Sequence, residues 1–163
     1  MRPLVIRPLM PDDADVARAL LHDCFGGTPY LSRMNELLGS ALRFGDPEYL
    51  CMVAELDGAP QLDGLVLFGS VVGAQRAAKV HAVAALDPRV HLAVLEAARE
   101  SCERSGERLV VCELPRDTPF DIASVALAAA GFHEEGRIDD FVRDGVALRL
   151  LVWRSAAASD AAC

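Results

Sequence analysis

Residues 79–94 read KVHAVAALDPRVHLAV. At Asp87-Pro88 the hydrophobic pattern changes from one typical of a strand to one typical of a helix. The residues before the change predict a strand over Lys79–Leu86, because successive side chains of a strand point to opposite faces. One face carries Val80, Ala82 and Ala84, and the other carries His81, Val83 and Ala85. Aspartate suits the N-cap position and proline the first helical position, so we expect a helix to start almost directly after the strand.

The same region continues into a strand–helix–strand unit. The apolar face of the predicted helix consists of Val90, Val94, Leu95, Ala98 and Cys102. Gly106 is expected to end this helix. Leu109–Cys112 is apolar throughout, which predicts a central strand buried on both faces. A helix between two such strands indicates a parallel pair joined by a right-handed crossover.

The N-terminal half predicts a strand, two helices and two further strands. Leu4–Ile6 forms the first strand, Pro11-Asp12-Asp13 opens a helix, and Ser32 caps the second helix. The predicted core residues of the two helices are Val16, Ala19, Leu20 and Cys24, then Met34, Leu37, Leu38, Ala41 and Leu42. The two strands are predicted at Tyr49–Ala54 and Leu65–Phe68, with a turn at Asp57-Gly58.

The C-terminal segment predicts one more helix and a hairpin. Thr118–Asp121 caps the helix, whose core residues are Ile122, Val125 and Leu127 and whose end is Gly131. The hairpin comprises Ile138–Val142, a turn at Asp144-Gly145, and Ala147–Trp153. Residues 155–163 are predicted to be a frayed tail. The order β-α-α-β-β-β-α-β-α-β-β indicates a single α/β domain over residues 3–154, with helices on both faces of one mixed sheet.

Composition excludes several classes of protein. The 163 residues carry a net charge of −8, which disfavours nucleic acid and anionic membranes as general partners. The longest apolar runs are too short for a signal peptide or a membrane span. Cysteines at 24, 51, 102, 112 and 163 lack CxxC spacing, and the histidines lack ligand spacing. These features predict reduced thiols, a cytoplasmic protein and no metal site.

Several landmarks, in this order, resemble the GNAT superfamily of acyl-CoA-dependent N-acetyltransferases. They are Ile6-Arg7-Pro8 with Asp12-Asp13, Val53-Ala54-Glu55 with Asp57-Gly58, Asp87-Pro88, residues 130–136 (AGFHEEG) and residues 137–145 (RIDDFVRDG). The resemblance implies a mixed sheet of about six to seven strands flanked by about four helices. It also implies transfer of an acyl group from acetyl-CoA, or another acyl-CoA, to an amine of a small molecule or peptide.

The resemblance also assigns a cofactor site, from which this sequence departs. The strand that holds Val83 and Ala84 would pair with the pantetheine, and the next loop would wrap the pyrophosphate. That loop lacks glycine here, is short, and contains Asp87, which would oppose a phosphate, so it is a degenerate pyrophosphate loop. Arg89 and His91 could supply side-chain contacts instead. Alternatively, this segment is a plain helix start capped by Asp87.

The usual catalytic tyrosine is missing, since Leu127 stands where the resemblance places it. His81 is therefore a candidate general base, or alternatively a hydrogen-bonded core histidine. Glu113 is a second candidate for the acid–base chemistry, because it lies at the end of the central strand, where ligand clefts of α/β proteins open. Alternatively, it is a solvated acid at a strand end. Tyr30, between the first two helices, lies where the resemblance places the acceptor wall, or alternatively only packs there. Two functions stay open: an N-acyltransferase, and a noncatalytic binding or homodimerisation module that has lost the CoA loop.

Overall fold

The computed structural model describes residues 3–57 and 59–156. Their strands are β1 (Leu4–Pro8), β2 (Leu50–Leu56), β3 (Gly64–Ser70), β4 (Ala77–Ala85), β5 (Leu109–Pro115), β6 (His133–Arg143) and β7 (Val146–Arg154). The α-helices are α1 (Ala14–Phe25), α2 (Leu31–Ala41), α3 (Pro88–Arg104) and α4 (Asp121–Ala129). Short 3-10 turns at Pro11–Asp13 and Thr118–Phe120 precede α1 and α4. The predicted element order and α/β class are confirmed.

All seven strands form one mixed sheet in the order β1-β2-β3-β4-β5-β7-β6. The pair β4–β5 is parallel, as predicted, and every other neighbouring pair is antiparallel. Helix α3 connects the two parallel strands and packs against β2, β3 and β4. This crossover places the start of α3 next to the end of β4, where the hydrophobic pattern changes from strand to helix at Asp87-Pro88.

The helices form two pairs, α1 with α2 and α3 with α4, and both pairs pack against the central strands. Strand β3 is buried from Gly64 to Gly69 without alternation, which requires cover on both faces of the sheet. The predicted apolar face of α3 is confirmed, since all five of its residues are buried. Among the described residues, no helix combines the length and apolar character needed to span a bilayer.

Two predictions about the first helices are wrong. The buried face of α1 consists of Ala17, Leu20, Leu21 and Phe25, whereas Ala19 is exposed. Every position from 19 to 21 is apolar, so the sequence does not fix which face turns inward. Ser32 does not cap α2, because the helix begins one residue earlier and Tyr30 occupies the N-cap without a side-chain bond.

The later elements also differ from expectation. In β5, Val110, Cys112 and Leu114 are buried while Glu113 is exposed, so the strand alternates and is not buried on both faces. On α4, Leu127 is fully buried, but Ile122 and Val125 are exposed. Small side chains at Ala123 and Ala126 face inward instead, which allows α4 to approach α3 closely.

Parts of two predicted segments lie outside the described residues. Gly58, in the predicted Asp57-Gly58 turn, lies outside the described residues, as do residues 157–163 of the predicted tail. Ser155, the first residue of that tail, is buried, and its N–H donates to the carbonyl of Arg108. The hairpin is longer than predicted, since β6 begins at His133.

Candidate active site

A cleft opens where β4 and β5 separate. The two strands pair from Ala77 with Leu109 to Val80 with Cys112, and no pairing follows. Strand β4 stays on β3 as far as Ala85, and β5 stays on β7 as far as Pro115, so the strands diverge beyond that point. The resulting space is about 200 Å³. Its polar and aromatic lining includes Tyr30, Arg33, Lys79, His81, Glu113 and Phe120.

His81 enters this cleft at an irregularity in β4. Phe68 pairs with Val80 and Leu67 pairs with Ala82, which leaves His81 as the extra residue of a β-bulge. Bulges redirect a side chain out of the regular alternation and are frequent beside active sites. The imidazole ring stacks on Tyr49, with 5.0 Å between centroids and 21° between planes.

The ring of His81 is held in one tautomer. Its Nε2 donates to the carbonyl oxygen of Glu48 at 2.8 Å. Gly69 permits this arrangement, since a Cβ at that position would overlap the backbone of Glu48. Burial lowers the pKa of His81, although the bond to Glu48 partly opposes that shift. The ring is therefore neutral near pH 7, and Nδ1, which bonds to none of the described residues, carries the lone pair.

Glu113 lies across the cleft from β4 and forms an ion pair there. Its Oε2 accepts from Nζ of Lys79 at 2.9 Å, where the lysine side chain is partly buried and the glutamate is exposed. Lys79 stands opposite Val111 in the parallel register, so this contact is diagonal. The structure thus brings both predicted catalytic residues, His81 and Glu113, to the same cleft.

A three-residue chain at the cleft wall was missed by the sequence analysis. The hydroxyl of Tyr30 donates to Asp117 Oδ2 at 2.7 Å, and Arg143 of β6 donates to the same atom at 2.7 Å. Burial and the neighbouring carboxylate raise the pKa of Tyr30 to about 12. The phenol of Tyr30 also lowers the pKa of Asp117. Tyr30 was predicted to line this wall, but Asp117 and Arg143 are too distant in sequence to be linked to it by spacing.

The start of α3 holds Arg89 and His91 away from the cleft. Asp87 caps the helix by accepting from the N–H of Arg89 at 2.8 Å, and its other oxygen binds the Arg89 guanidinium at 2.9 Å. His91 is 5% exposed, and its Nδ1 lies 3.4 Å from the carbonyl of Asp87. Burial lowers the pKa of His91, so it contributes no positive charge at neutral pH.

The surroundings of this helix start are acidic. A surface pocket of about 320 Å³ beside it contains the carboxylates of Asp23, Asp63 and Asp87. Pro88 adds no N–H donor. In this conformation the helix start does not form an anion-binding site. The guanidinium of Arg89, which could bind a phosphate, is paired with Asp87. Val83 and Ala84 are both buried and paired with β3, and of the two only Val83 lines the cleft.

The four cysteines of the described residues do not form a nucleophilic site. Burial raises the pKa of Cys24 and Cys102 to about 11 and that of Cys51 and Cys112 to about 12. These four thiols are therefore protonated and poor nucleophiles. Leu127 is fully buried, so α4 presents no acid at that position. In residues 3–57 and 59–156, no three His, Cys, Asp or Glu side chains are grouped in a way that could hold a metal ion.

Solved structures show where this architecture occurs. A protein from Desulfovibrio desulfuricans, described as an acetyltransferase of the GNAT family, superposes with a TM-score of 0.78 at 20% identity, over 93% of this chain and 99% of that chain. This chain has the GNAT acetyltransferase fold. A ribosomal-protein-alanine N-acetyltransferase from Brucella melitensis has the same fold, with a TM-score of 0.71 at 16% identity, covering 93% of this chain and 99% of its own.

A third GNAT-fold structure holds a cofactor. This protein, from Salmonella typhimurium, is described as an acetyltransferase with its cofactor acetyl-CoA, and has a TM-score of 0.71 at 15% identity over 98% of this chain and 99% of that chain. No protein-family model and no curated protein matches the sequence. At these identities the likeness establishes the fold.

Proposed function

We propose that this chain is an N-acyltransferase that moves an acyl group, in the first instance acetyl, from acyl-CoA to an amine of a small molecule or peptide. The observation that carries the proposal is the cleft between β4 and β5, which holds a neutral histidine and a carboxylate within one space of about 200 Å³. The GNAT fold supports the same reaction class, and a structural neighbour is described with acetyl-CoA as its cofactor.

The backbone of β4 suits the pantetheine part of the donor. Beyond Val80 this strand has no partner on the β5 side, and alternate residues of an antiparallel strand turn their N–H and C=O away from the paired neighbour. Val83 and Ala84 lie in this portion, which pairs with β3 but not with β5, and we assign the pantetheine amides to its free side. The acyl thioester that CoA carries is the activated group of the reaction.

Binding of the CoA pyrophosphate at the start of α3 requires a side chain to move. Arg89 is 86% exposed at its side chain and can rotate from Asp87 to a phosphate. His91 is too buried to reach one, so its contribution would be through the helix start that it supports. We expect binding of the CoA phosphates to be weak, because Asp23, Asp63 and Asp87 surround this end.

His81 and Glu113 are the two residues that would handle the proton of the acceptor amine. An amine must lose a proton as its nitrogen attacks the thioester carbonyl, and Nδ1 of His81 accepts that proton directly or through one water. The bond from Nε2 to Glu48 stabilises the imidazolium that results. Glu113 binds the incoming ammonium and is the second candidate base. The overall acidic charge favours a cationic acceptor at long range.

A second function, a noncatalytic binding or dimerisation module, is favoured by two features. Asp87 occupies the helix start that would otherwise bind an anion. Strand β6 is also the edge of the sheet and exposes Ile138 (53%) and Phe141 (61%). Two apolar side chains on an open sheet edge would favour pairing with a second copy, although the other residues of β6 are mostly charged.

Thermal shift and calorimetry with acetyl-CoA and CoA separate the two functions. Ligand at about 100 times its dissociation constant should stabilise the fold by about 2.7 kcal/mol. Thiol release should follow when an amine is added. If millimolar acetyl-CoA leaves the melting temperature unchanged, the enzyme proposal is wrong and the noncatalytic module remains.

A further inference from the structure

Lys79 is the only lysine among the 16 basic residues of the sequence, and it lines the cleft. The other 15 are arginines, whose guanidinium groups stay protonated in proteins and do not act as amine nucleophiles. The single side-chain amine of this protein therefore lies in the space assigned to acyl transfer.

The side chain of Lys79 is accessible and has proton acceptors beside it. Its side chain is 30% exposed, which leaves it accessible from the cleft, and its Nζ already donates to Glu113 Oε2 at 2.9 Å. His81, the neutral base of the cleft, lines the same space. An amine thus has a proton acceptor in direct contact and a second base within the same cleft.

We propose that Lys79 is a self-acylation site: in the absence of another acceptor, its Nζ takes the acyl group from an acyl thioester bound in the cleft. This inference rests on the proposed function, because it uses the same donor and the same bases. It adds a modification site within the protein itself.

The step balances without a further reactant. The ammonium of Lys79 passes one proton to Glu113 and from there to solvent, and the free amine attacks the thioester carbon. A C–N bond forms, the C–S bond breaks, and the departing thiolate takes the second proton that the nitrogen loses. The products are an Nε-acyl-lysine, a free thiol and one proton in solution.

Acylation would change the cleft electrostatically. The amide that forms is neutral, so Glu113 loses the cation that it now binds. The cleft then carries one more net negative charge, which strengthens its attraction for a cationic amine acceptor.

The test is to incubate the full chain with acetyl-CoA and no added amine, and to follow intact mass and peptide maps. We expect one acetyl group per chain at Lys79, with a first-order rate that does not depend on protein concentration. Lys79→Arg keeps a cation beside Glu113 but should remove the label, while acetyl-CoA still raises the melting temperature. The double variant Lys79→Arg/Arg18→Lys supplies the control, because the side chain at position 18 is 54% exposed on the outer face of α1.

The introduced lysine measures uncatalysed acylation by the same reagent. Acylation of Lys79 should exceed it at least about 10-fold, because a bound donor raises the effective concentration of the thioester. Equal rates at the two positions would overturn the inference. So would an unlabelled wild-type chain that binds acetyl-CoA and acylates an added amine, and in that case the proposed function would stand. A chain that neither binds acetyl-CoA nor acylates any amine would overturn both.

Discussion

Nε2 of His81 lies 2.8 Å from the carbonyl oxygen of Glu48, a residue 33 positions earlier in the chain. The contact joins the bulge in β4 to the loop before β2. It makes Nε2 the protonated nitrogen and leaves the lone pair on Nδ1. Without this bond, a histidine on a central strand would be interpreted as a core residue. With the bond, the tautomer of His81 is defined and Nδ1 is available as a base.

Replacing His81 should reduce turnover far more than it reduces donor binding. We expect His81→Ala to lower kcat about 100-fold or more, since a positioned general base contributes at least that factor. Acetyl-CoA should still raise the melting temperature of the variant. Initial rates of thiol release with an amine that the wild-type chain accepts measure the effect, and added imidazole should restore part of the rate. Unchanged kcat would remove His81 from the mechanism.

The pH dependence of kcat/KM should follow the neutral form of His81. Because burial lowers its pKa below the ordinary value of 6.5, the ring becomes protonated only at more acidic pH. The rate should therefore be level at neutral pH and fall at more acidic pH, as the base is lost. Lys79→Gln removes a positive charge that helps to lower this pKa, so it should move the acid limb to higher pH. An acid limb well above pH 7 in the wild-type chain would contradict this assignment.

Asp87 should weaken the binding of CoA phosphates. Asp87→Asn keeps an N-cap side chain, removes the negative charge and releases Arg89, so we expect acetyl-CoA to bind about two- to fivefold more tightly. Arg89→Ala should weaken binding by a similar factor. S-acetylpantetheine, which lacks phosphates, is the matched control ligand and should bind all three chains equally. Calorimetry measures each affinity, and tighter binding of the control ligand to Asp87→Asn would refute the electrostatic explanation.

The sequence predicted the element order, because each change of hydrophobic period coincides with a proline, a glycine or an acidic cap such as Asp87. It could not predict features that depend on strand divergence. The cleft exists because β4–β5 pairing stops at Val80, and no residue type marks that position. Likewise Tyr30 and Asp117 meet across 87 residues, which local spacing does not reveal. The buried face of α4 was misassigned because its segment is almost entirely apolar.

Leu127 and Val125 lie on opposite faces of α4, one buried and one exposed, so truncating them should differ in its effect on stability. Leu127 is fully buried, so Leu127→Ala should cost about 2–5 kcal/mol through lost contacts and the cavity that remains. Val125 is 69% exposed, and Val125→Ala should change stability by no more than about 0.5 kcal/mol. Urea denaturation of both variants measures the difference. Similar losses for the two would restore the sequence-based assignment of both residues to the core.

Asp13 should make stability depend on pH at the acidic end. Arg7 donates to its two carboxylate oxygens at 2.7 and 2.9 Å, and the N–H of Met10 donates at 2.7 Å. The bonds from Arg7 are the main reason that the pKa of Asp13 lies below its usual value. A carboxyl whose pKa is lower in the folded chain stabilises the fold above its unfolded pKa of about 3.9, and this stabilisation is lost as the pH falls further.

Asp13→Asn should therefore lower the unfolding free energy at pH 7 by about 1–2 kcal/mol, since a bond to a charged group is replaced. The difference from the wild-type chain should shrink as the pH falls below 4 and be smallest near pH 2. Asp15→Asn is the control, because Asp15 is fully exposed and its ion pair with Arg18, at 3.2 Å, lies at the surface. Urea denaturation at a series of pH values measures both variants. A difference for Asp13→Asn that stays constant from pH 7 to pH 2 would show that the ion pair with Arg7 is not its source.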